Sequence, residues 1–422
     1  MKVFKFGGAS VKNAKAIENV AKIVRSFDDS MIIVVSAIDK TTNSLEVVWD
    51  QFVQRKEKQL ELAIQRVIQF HLDIINELHL ERDQHFIDNI NNSFRALQLH
   101  IKKEPSENIA FEYDQIVSYG ELWSTMIISC YLNNNGLNNN WLDARKLIRT
   151  TNHYQDARVN WDKTFELIQM KINPNVDKKV REIYITQGFI GHTDTGMTTT
   201  LGREGSDFSA SILGWCIDAE EVVIWKDVQG LLNADPKEFE NTVKLDKISY
   251  KEAIELSYFG ASVIHPKTLK PLQNKCIPLK IKSFIDPSLE GTVIQENEDK
   301  DGIHPCYIYN SNQLLLSISP KDFSFILEDH ISEIFGLFSS HGLKVHLTQN
   351  SALSFSVCAK IKKTMLKSLI DQLSVKYKVK YNDKVDLLTI RHYLNHKFPE
   401  KLKNKEVLIK QRSRSTLRYV LR

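Results

Sequence analysis

The first 37 residues hold the pattern that most restricts the fold. Residues 1–6 can form a short strand that ends at Gly7-Gly8, and apolar side chains then recur at helical spacing over 14–24. The run MIIVVSA at 31–37 is apolar almost throughout, as is typical of a strand buried on both faces. Strand, helix and strand in this order predict a βαβ unit and a parallel sheet.

Later segments extend this α/β pattern. Residues 44–102 are expected to be mostly helical, a further helix is expected over 115–132, and strand candidates lie at 181–191 and 220–228. Ligands of open α/β sheets bind at the carboxyl ends of the strands. The expected functional loops therefore follow Phe6, Val35, Gln187 and Trp225.

A polar stretch at 285–305 predicts a boundary between a domain at 1–295 and a second region at 303–422. Beyond it the order β-α-β-β-α-β predicts a small α+β module of the ferredoxin-like kind. Its strands are expected at 313–319, 343–349, 352–359 and 385–393, with helices around 331–338 and at 363–376.

Composition gives little support for a nucleic-acid or membrane partner. The 56 basic and 52 acidic residues nearly balance. No apolar run reaches the roughly 18–20 residues of a membrane helix, no leader is evident, and the five cysteines lack metal-ligand spacing. Residues 401–422 hold eight basic residues against one acidic, but apolar residues alternate with the charges as in a half-exposed strand. We therefore expect a cytoplasmic protein with reduced thiols.

The segment KFGGAS combines features that suit a phosphate. Lys5 ends a buried strand and supplies a cation, while Gly7 and Gly8 let the backbone approach an anion at a helix start. Phosphoryl transfer needs such cations and N–H groups around the phosphate oxygens. By itself, a glycine pair after a strand is also common in purely structural turns.

Two further segments add charged groups. In TTTLGREGSD, Arg203 could grip a carboxylate in a bidentate manner, and Asp207 could orient reacting groups or hold the active-site lysine. A surface turn with a helix cap at Ser206 or Asp207 is the alternative. In SYGELWST, Glu121 has apolar neighbours, so its charge needs a partner such as a substrate ammonium group.

The segment IWKDVQGLLNADPK at 224–237 could frame a nucleotide, but because Asp-Pro marks turns, the pattern alone more often indicates a plain loop. None of these loops is a Walker A sequence or a protein-kinase glycine loop, and no G-x-G-x-x-G opens a helix. A P-loop ATPase and a Rossmann dehydrogenase are therefore disfavoured.

Seven segments in this order resemble the aspartate kinases of the amino-acid kinase superfamily. They are KFGG, VVSA followed by Thr42-Asn43, SYGELWST, TQGFIG, TTTLGREGSD, IWKDV…ADP and FGASVIHP. The resemblance implies a three-layer αβα, mainly parallel sheet followed by a ferredoxin-like ACT regulatory region. It also implies transfer of the ATP γ-phosphoryl, with Mg²⁺, to the β-carboxylate of L-aspartate. The product would be 4-phospho-L-aspartate, in the first step of lysine, threonine and methionine biosynthesis.

The resemblance also implies roles for individual residues, with no side chains dedicated to a metal. The catalytic residues would be Lys5 and Asp207. Aspartate would be held by Thr42, Glu121, Phe189, Arg203 and Ser206, with Glu121 facing its ammonium group and Arg203 its α-carboxylate. The nucleotide would be held by Lys5, Gly7, Gly8, Ser36, Lys226, Asp227, Leu232 and Lys237.

Several positions depart from the family pattern. They are Ala9 and Lys226 in place of threonine, Glu204 in place of glycine, Leu232 in place of an aromatic residue, and Ser262 in place of lysine. Lys226 is expected to act as a new cation on the phosphate side.

The ACT resemblance covers one complete module at about 314–388 and a truncated second one, and it implies a homodimer formed through this region. Asn350 and Ser351 are candidate allosteric residues at a strand-to-strand turn, with an ordinary hairpin turn as the alternative. Two other functions stay open: another amino-acid kinase, such as an acetylglutamate or glutamate kinase, and an amino-acid sensor without kinase activity.

Overall fold

Contacts divide the chain into two units in this computed structural model, which describes residues 1–172, 181–261, 264–322, 324–395 and 398–422. The first unit comprises Met1–Leu231, Asp246–Ile254 and Ile264–Asp299, and the second comprises Leu232–Leu245, Glu255–Val263 and Lys300–Arg422. The division at 295–303 expected from the sequence stays a prediction. Ser262 lies outside the described residues.

An eight-stranded sheet forms the centre of the first unit. The strands of this unit are β1 (Lys2–Phe6), β2 (Met31–Val35), β3 (Asn140–Leu142), β4 (Ile183–Gln187), β5 (Ile190–His192), β6 (Thr198–Thr200), β7 (Glu221–Lys226), β8 (Lys247–Ser249), β9 (Leu279–Ser283) and β10 (Thr292–Gln295). Strands β5 and β6 form a separate two-stranded hairpin, and the other eight form the sheet. The order is β3-β4-β2-β1-β7-β9-β10-β8. Every pair is parallel except β9 with β10, so the parallel sheet is confirmed.

Helices join these strands. They are α1 (Ala14–Arg25), α2 (Thr41–Val53), α3 (Glu57–Glu77), α4 (Gln84–His100), α5 (Ile109–Asn134), α6 (Trp161–Lys171), α7 (Gly205–Cys216), α8 (Tyr250–Phe259) and α9 (Pro266–Asn274). The helices expected over 44–102 and 115–132 are therefore present as α2 to α5. No described helix is long and apolar enough to cross a membrane.

The central strands are buried on both faces, which explains their continuous apolar sequences. Phe4 and Phe6 of β1 point into the large core that also contains apolar residues of α1. Lys5 points to the opposite face, where its ammonium group pairs with Asp207 of α7. Successive side chains of a strand alternate between its two faces. Helix α1 therefore packs on the face of Phe4 and Phe6, and α7 lies on the face of Lys5, which gives the expected three-layer arrangement.

The second unit contains an antiparallel six-stranded sheet. Its elements are β11 (Cys306–Pro320), α10 (Glu328–Ser340), β12 (Lys344–Asn350), β13 (Phe355–Lys360), α11 (Lys363–Lys376), β14 (Tyr377–Arg391), β15 (Val407–Arg412) and β16 (Thr416–Leu421). The strand order is β12-β13-β11-β14-β16-β15. The elements from β11 to β14 follow the order β-α-β-β-α-β, which confirms the ferredoxin-like module.

Two strands of this unit are longer than their apolar runs indicated. β11 and β14 each have 15 residues and pair with each other from Cys306↔Arg391 to Pro320↔Tyr377, and the last part of β14 also pairs with β16. β16 is buried along its whole length rather than half exposed. Arg418 is accommodated because its guanidinium donates to the His346 carbonyl and lies over the Phe259 ring. The basic tail is therefore built into the sheet.

Candidate active site

A cavity of about 820 Å³ opens in the first unit at the carboxyl ends of the central strands. Ten of the residues expected to bind substrate or nucleotide line it, namely Lys5, Gly8, Ser36, Thr42, Glu121, Phe189, Arg203, Ser206, Asp207 and Lys226. Gly7 lies two residues after Lys5 and directly before Gly8, and Asp227 is exposed just after β7. Leu232 and Lys237 belong to the second unit, as do Asn350 and Ser351. The structure thus gathers residues from six separated segments into one site.

Two lysines share one buried carboxylate in this cavity. Lys5 Nζ lies 2.6 Å from Asp207 Oδ1, and Lys226 Nζ lies 3.8 Å from Asp207 Oδ2. Burial opposes the ionisation of Asp207, but the charges of Lys5 and Lys226 outweigh it and hold the pKa of this carboxyl below its usual value. Asp207 is therefore ionised at neutral pH, and the cluster carries a net positive charge.

The fold fixes each member of this cluster. Lys5 leaves the sheet on the α7 side because it alternates with the core residues Phe4 and Phe6. Asp207 lies in the first turn of α7, where a negative charge interacts favourably with the helix dipole. Lys226 is the last residue of β7, the strand that pairs with β1. The family position normally held by threonine thus presents an ammonium group to the same carboxylate.

The loops after β1 and β2 touch each other closely, which requires glycine. A Cβ at Gly8 would lie 2.7 Å from the Asp39 carbonyl oxygen and 2.9 Å from that of Ala37. The Asp39 N–H donates to the Gly8 carbonyl at 3.2 Å, and Ser124 Oγ donates to the Ser36 carbonyl at 2.7 Å. A Cβ at Gly7 would lie 3.2 Å from Lys5 Nζ. The glycine pair therefore makes room for both the neighbouring loop and the lysine.

Glu121 is a buried carboxylate that faces this cavity with an unsatisfied oxygen. Its side chain is 3% exposed, and Oε2 has no hydrogen-bond partner. Burial raises the pKa of Glu121 to about 8, against smaller opposing effects of the Ala37 N–H and Lys5. A buried acceptor without a partner costs free energy, so this oxygen is suited to a cationic ligand.

The backbone around Arg203 is strained. Phe189 and Glu204 both have left-handed φ angles, 68° and 54°, which are uncommon for residues other than glycine. A Cβ at Gly205 would lie 2.6 Å from the Phe189 ring, so these two segments pack directly. The Glu204 carboxylate accepts the His265 N–H at 2.8 Å. This bond explains how a glutamate is held at the family's glycine position. Such strain is often concentrated at functional sites.

The turn at Phe189 corrects the strand expected over 181–191. The chain forms β4, turns at Gly188-Phe189 and begins the separate strand β5. A Cβ at Gly188 would lie 2.4 Å from the Ser206 Cβ, so the turn brings the backbone against the start of α7. This break in the strand places both Phe189 and Ser206 in the cavity wall.

Several cavity residues were not found by sequence reasoning, and they are Asp39, Glu46, Trp49, Tyr113 and Gln155. The Tyr113 hydroxyl donates to Glu46 Oε1 at 2.8 Å, which joins α5 to α2. Tyr113 lies eight residues before Glu121, about two helical turns, so helical spacing could have indicated it. Gln155 lies in a loop, where no such periodic signal exists.

Lysines near the ends of β1 and β7, a glycine pair after β1 and the first turn of α7 with Asp207 give this cavity the features that phosphoryl transfer needs. The amino acid kinase family model matches residues 1–283, and the chain belongs to this family. Its relatives within the family include aspartokinases. The chain is 31% identical over 362 residues to the lysine-sensitive aspartokinase 3 of Escherichia coli K12. This match covers 84% of this chain and 77% of that protein.

Three further comparisons show similarity to aspartokinases. It is 29% identical over 394 residues to a chloroplastic bifunctional aspartokinase/homoserine dehydrogenase of Daucus carota, covering 89% of this chain and 42% of that protein. The chain thus spans less than half of that relative. The crystal structure of E. coli aspartokinase III with lysine and aspartate matches with a TM-score of 0.84 and 26% identity, over 100% of this chain and 95% of that one. The same enzyme with aspartate and ADP matches with a TM-score of 0.80 and 26% identity, over 100% and 96%.

Proposed function

We propose that this chain is an aspartate kinase, which transfers the γ-phosphoryl group of ATP to the β-carboxylate of L-aspartate. The observation that carries the proposal is that one cavity joins a two-lysine cluster to the buried, unsatisfied carboxylate of Glu121. The first suits phosphate oxygens and the second suits an amino acid's ammonium group. The relative whose structure contains aspartate and ADP supports the same pair of ligands.

The lysine cluster forms the phosphate side of the site. Lys5 and Lys226 contribute two positive charges and Asp207 one negative charge, which leaves one net positive charge to face the phosphates. Lys5 would stabilise the charge that develops on the transferring phosphoryl group, and Asp207 would hold both lysines in place. The N–H groups around Gly8 would approach the phosphate oxygens.

Mg²⁺ would enter the site as its complex with ATP. Within the described part of the chain, no group of three His, Cys, Asp or Glu side chains could hold a metal ion. The ligands of Mg²⁺ would therefore be mainly phosphate oxygens and water, as is common for this ion. Bound there, the ion would neutralise charge on the β- and γ-phosphates.

The other side of the cavity would hold aspartate. Glu121 would pair with the ammonium group, and Arg203 would bind the α-carboxylate in a bidentate manner. Thr42, Phe189 and Ser206 would complete the wall that orients the side chain. The β-carboxylate needs no general base, because it is already ionised at neutral pH. One of its oxygens would attack the γ-phosphorus in line, the bond to the β-phosphate oxygen would break, and ADP would leave without a covalent enzyme intermediate.

The test is a kinase assay with purified chain, ATP, Mg²⁺ and hydroxylamine, which traps the acyl phosphate as a hydroxamate. We expect hydroxamate formation with L-aspartate and coupled release of ADP. Turnover of glutamate in place of aspartate would instead indicate another amino-acid kinase. Amino-acid binding without any turnover would indicate a sensor.

We further propose that the second unit is a regulatory region that binds an amino acid near Asn350 and Ser351 and joins two chains. Ser351 N–H donates to the Ser354 carbonyl at 2.9 Å, so the exposed turn between β12 and β13 is already closed. The lysine-sensitive E. coli relative supports a regulatory role. Repeating the assay with lysine, threonine and methionine tests it, and sedimentation tests the homodimer. Equal inhibition of the parent and Ser351→Ala would favour an ordinary turn.

A further inference from the structure

Helix α5 carries a second buried carboxylate that the proposed chemistry does not use. Asp114 is 0% exposed and lies seven residues before Glu121, which places both on the same side of α5. Unlike Glu121, it does not line the cavity. Its surroundings show what it does.

The Asp114 carboxylate fastens two segments to α5. Gln155 N–H donates to both oxygens at 3.1 Å, Thr200 N–H donates to Oδ2 at 2.8 Å, and Thr200 Oγ1 donates to Oδ1 at 2.7 Å. The neighbouring Gln115 side chain donates to the Thr198 carbonyl at 2.8 Å. Both ends of strand β6 are therefore held by two adjacent residues of α5. Ionised carboxylates make short, strong bonds to such donors.

These two segments lead directly to Arg203. Ala157 N–H donates to the Thr200 carbonyl at 2.9 Å, so the loop at 155–157 and β6 form one wall. The chain then continues through Gly202, where a Cβ would lie 2.7 Å from Asp156 Oδ1. Only two residues separate Thr200 from Arg203. A shift of β6 would thus be transmitted to the guanidinium group.

We propose that Asp114 is a positioning residue, whose ionised carboxylate holds β6 and the 155–157 loop so that Arg203 meets the α-carboxylate of the amino-acid substrate. This inference rests on the proposed aspartate kinase function. Asp114 would thus affect the affinity for the amino-acid substrate rather than phosphoryl transfer, although its carboxylate touches neither the amino acid nor ATP.

Protonation of Asp114 would weaken this arrangement. Burial raises the pKa of Asp114 to about 6, against smaller opposing effects of its bonds to Thr200 and Gln155. The titratable groups that face it are Tyr113 on α5 and Tyr154 beside the loop, and burial raises the pKa of both, so they stay neutral. Strand β6 itself contains only threonines. Aspartate binding should therefore weaken as the pH falls through about 6.

The experiment compares Asp114→Asn with the parent chain in the hydroxamate assay. The asparagine amide presents a donor where the carboxylate accepted, so we expect the KM for aspartate to rise at least tenfold at pH 8, with the KM for ATP within twofold of the parent value. Between pH 7.5 and 5.5 the parent's KM for aspartate should rise at least threefold more than that of Asp114→Asn. Glu112→Gln is the matched control. Glu112 is equally buried on α5, but it binds His100 and Ser106, and its variant should keep both KM values.

Thr200→Val keeps the N–H and removes only the hydroxyl bond, and it carries the test if Asp114→Asn does not fold. We expect it to raise the KM for aspartate at least threefold without changing the KM for ATP. An unchanged KM for aspartate, an equal rise for both substrates, or parallel pH profiles would overturn the inference. A parent chain without aspartate turnover would overturn the proposed function as well, so the two failures are distinguishable.

Discussion

Glu121→Gln gives the sharpest test of how the cavity selects an amino acid. The substitution keeps the shape of the side chain but removes the charge that would pair with the substrate ammonium group. Breaking a buried ion pair by removing one partner costs about 3–5 kcal/mol. Because burial raises the pKa of Glu121 to about 8, ionising it at pH 7 already costs about 1.4 kcal/mol, which reduces the loss to roughly 2–4 kcal/mol. The KM for aspartate should therefore rise about 30-fold to 1,000-fold at pH 7.

The pH dependence provides a second measure of the same group. The empty site holds Glu121 mostly neutral below about pH 8, whereas the ammonium group of the substrate binds the ionised form, so binding releases a proton. In the parent chain, the KM for aspartate should fall about tenfold per pH unit up to about pH 8 and then level off. Glu121→Gln should lose this slope. Steady-state hydroxamate assays from pH 6.5 to 9, with Glu112→Gln as the control, measure both effects. A KM within threefold of the parent value, or an unchanged slope, would refute the role of Glu121.

Substitutions at three further positions test the rest of the site. Lys226→Thr should raise the KM for ATP about tenfold, since a charge-assisted contact is worth about 1.5 kcal/mol. Lys226→Arg should restore most of the affinity for ATP. Equal KM values for ATP in Lys226→Thr and the parent chain would contradict the phosphate-side role of Lys226. Gly188→Ala puts a Cβ 2.4 Å from that of Ser206, so we expect at least a tenfold loss in kcat/KM for aspartate, and parental kinetics would show that the two segments separate freely. Glu204→Gly relieves a left-handed φ but loses the bond to the His265 N–H, so urea unfolding should change by less than about 1 kcal/mol, and a loss above about 2 kcal/mol would count against this balance.

Much of the fold follows from local sequence patterns. The strands expected at 1–6 and 31–37 are present as the neighbouring parallel strands β1 and β2, and the helices expected over 44–102 and 115–132 are also present. Both patterns depend on periodic burial, which a sequence records directly. Strand ends were harder to predict. The 181–191 segment divides at Phe189 because Gly188 packs against Ser206, a contact between residues that are distant in the chain.

The candidate site shows the same division. Lys5, Glu121 and Asp207 could be predicted from the sequence, because each lies in a short motif that contains glycine, lysine or a lone acidic residue. Asp114 could not be predicted, because a buried aspartate in a helix cannot be told by sequence from a solvated acidic residue. Gln155, which donates to Asp114, could not be predicted because it lies in a loop without a periodic pattern. Leu232 and Lys237 keep their expected nucleotide roles as predictions.

The sequence by itself determined that Lys5, the glycine pair and Lys226 would lie at strand ends of an α/β sheet, and that Glu121 would lie on a helix. Only the tertiary structure decided that both lysines share Asp207 and that Glu121 keeps an oxygen without a partner. The reason is physical. Local sequence sets which backbone conformation is favoured, whereas charge pairing and burial depend on which distant segments the packed core brings together.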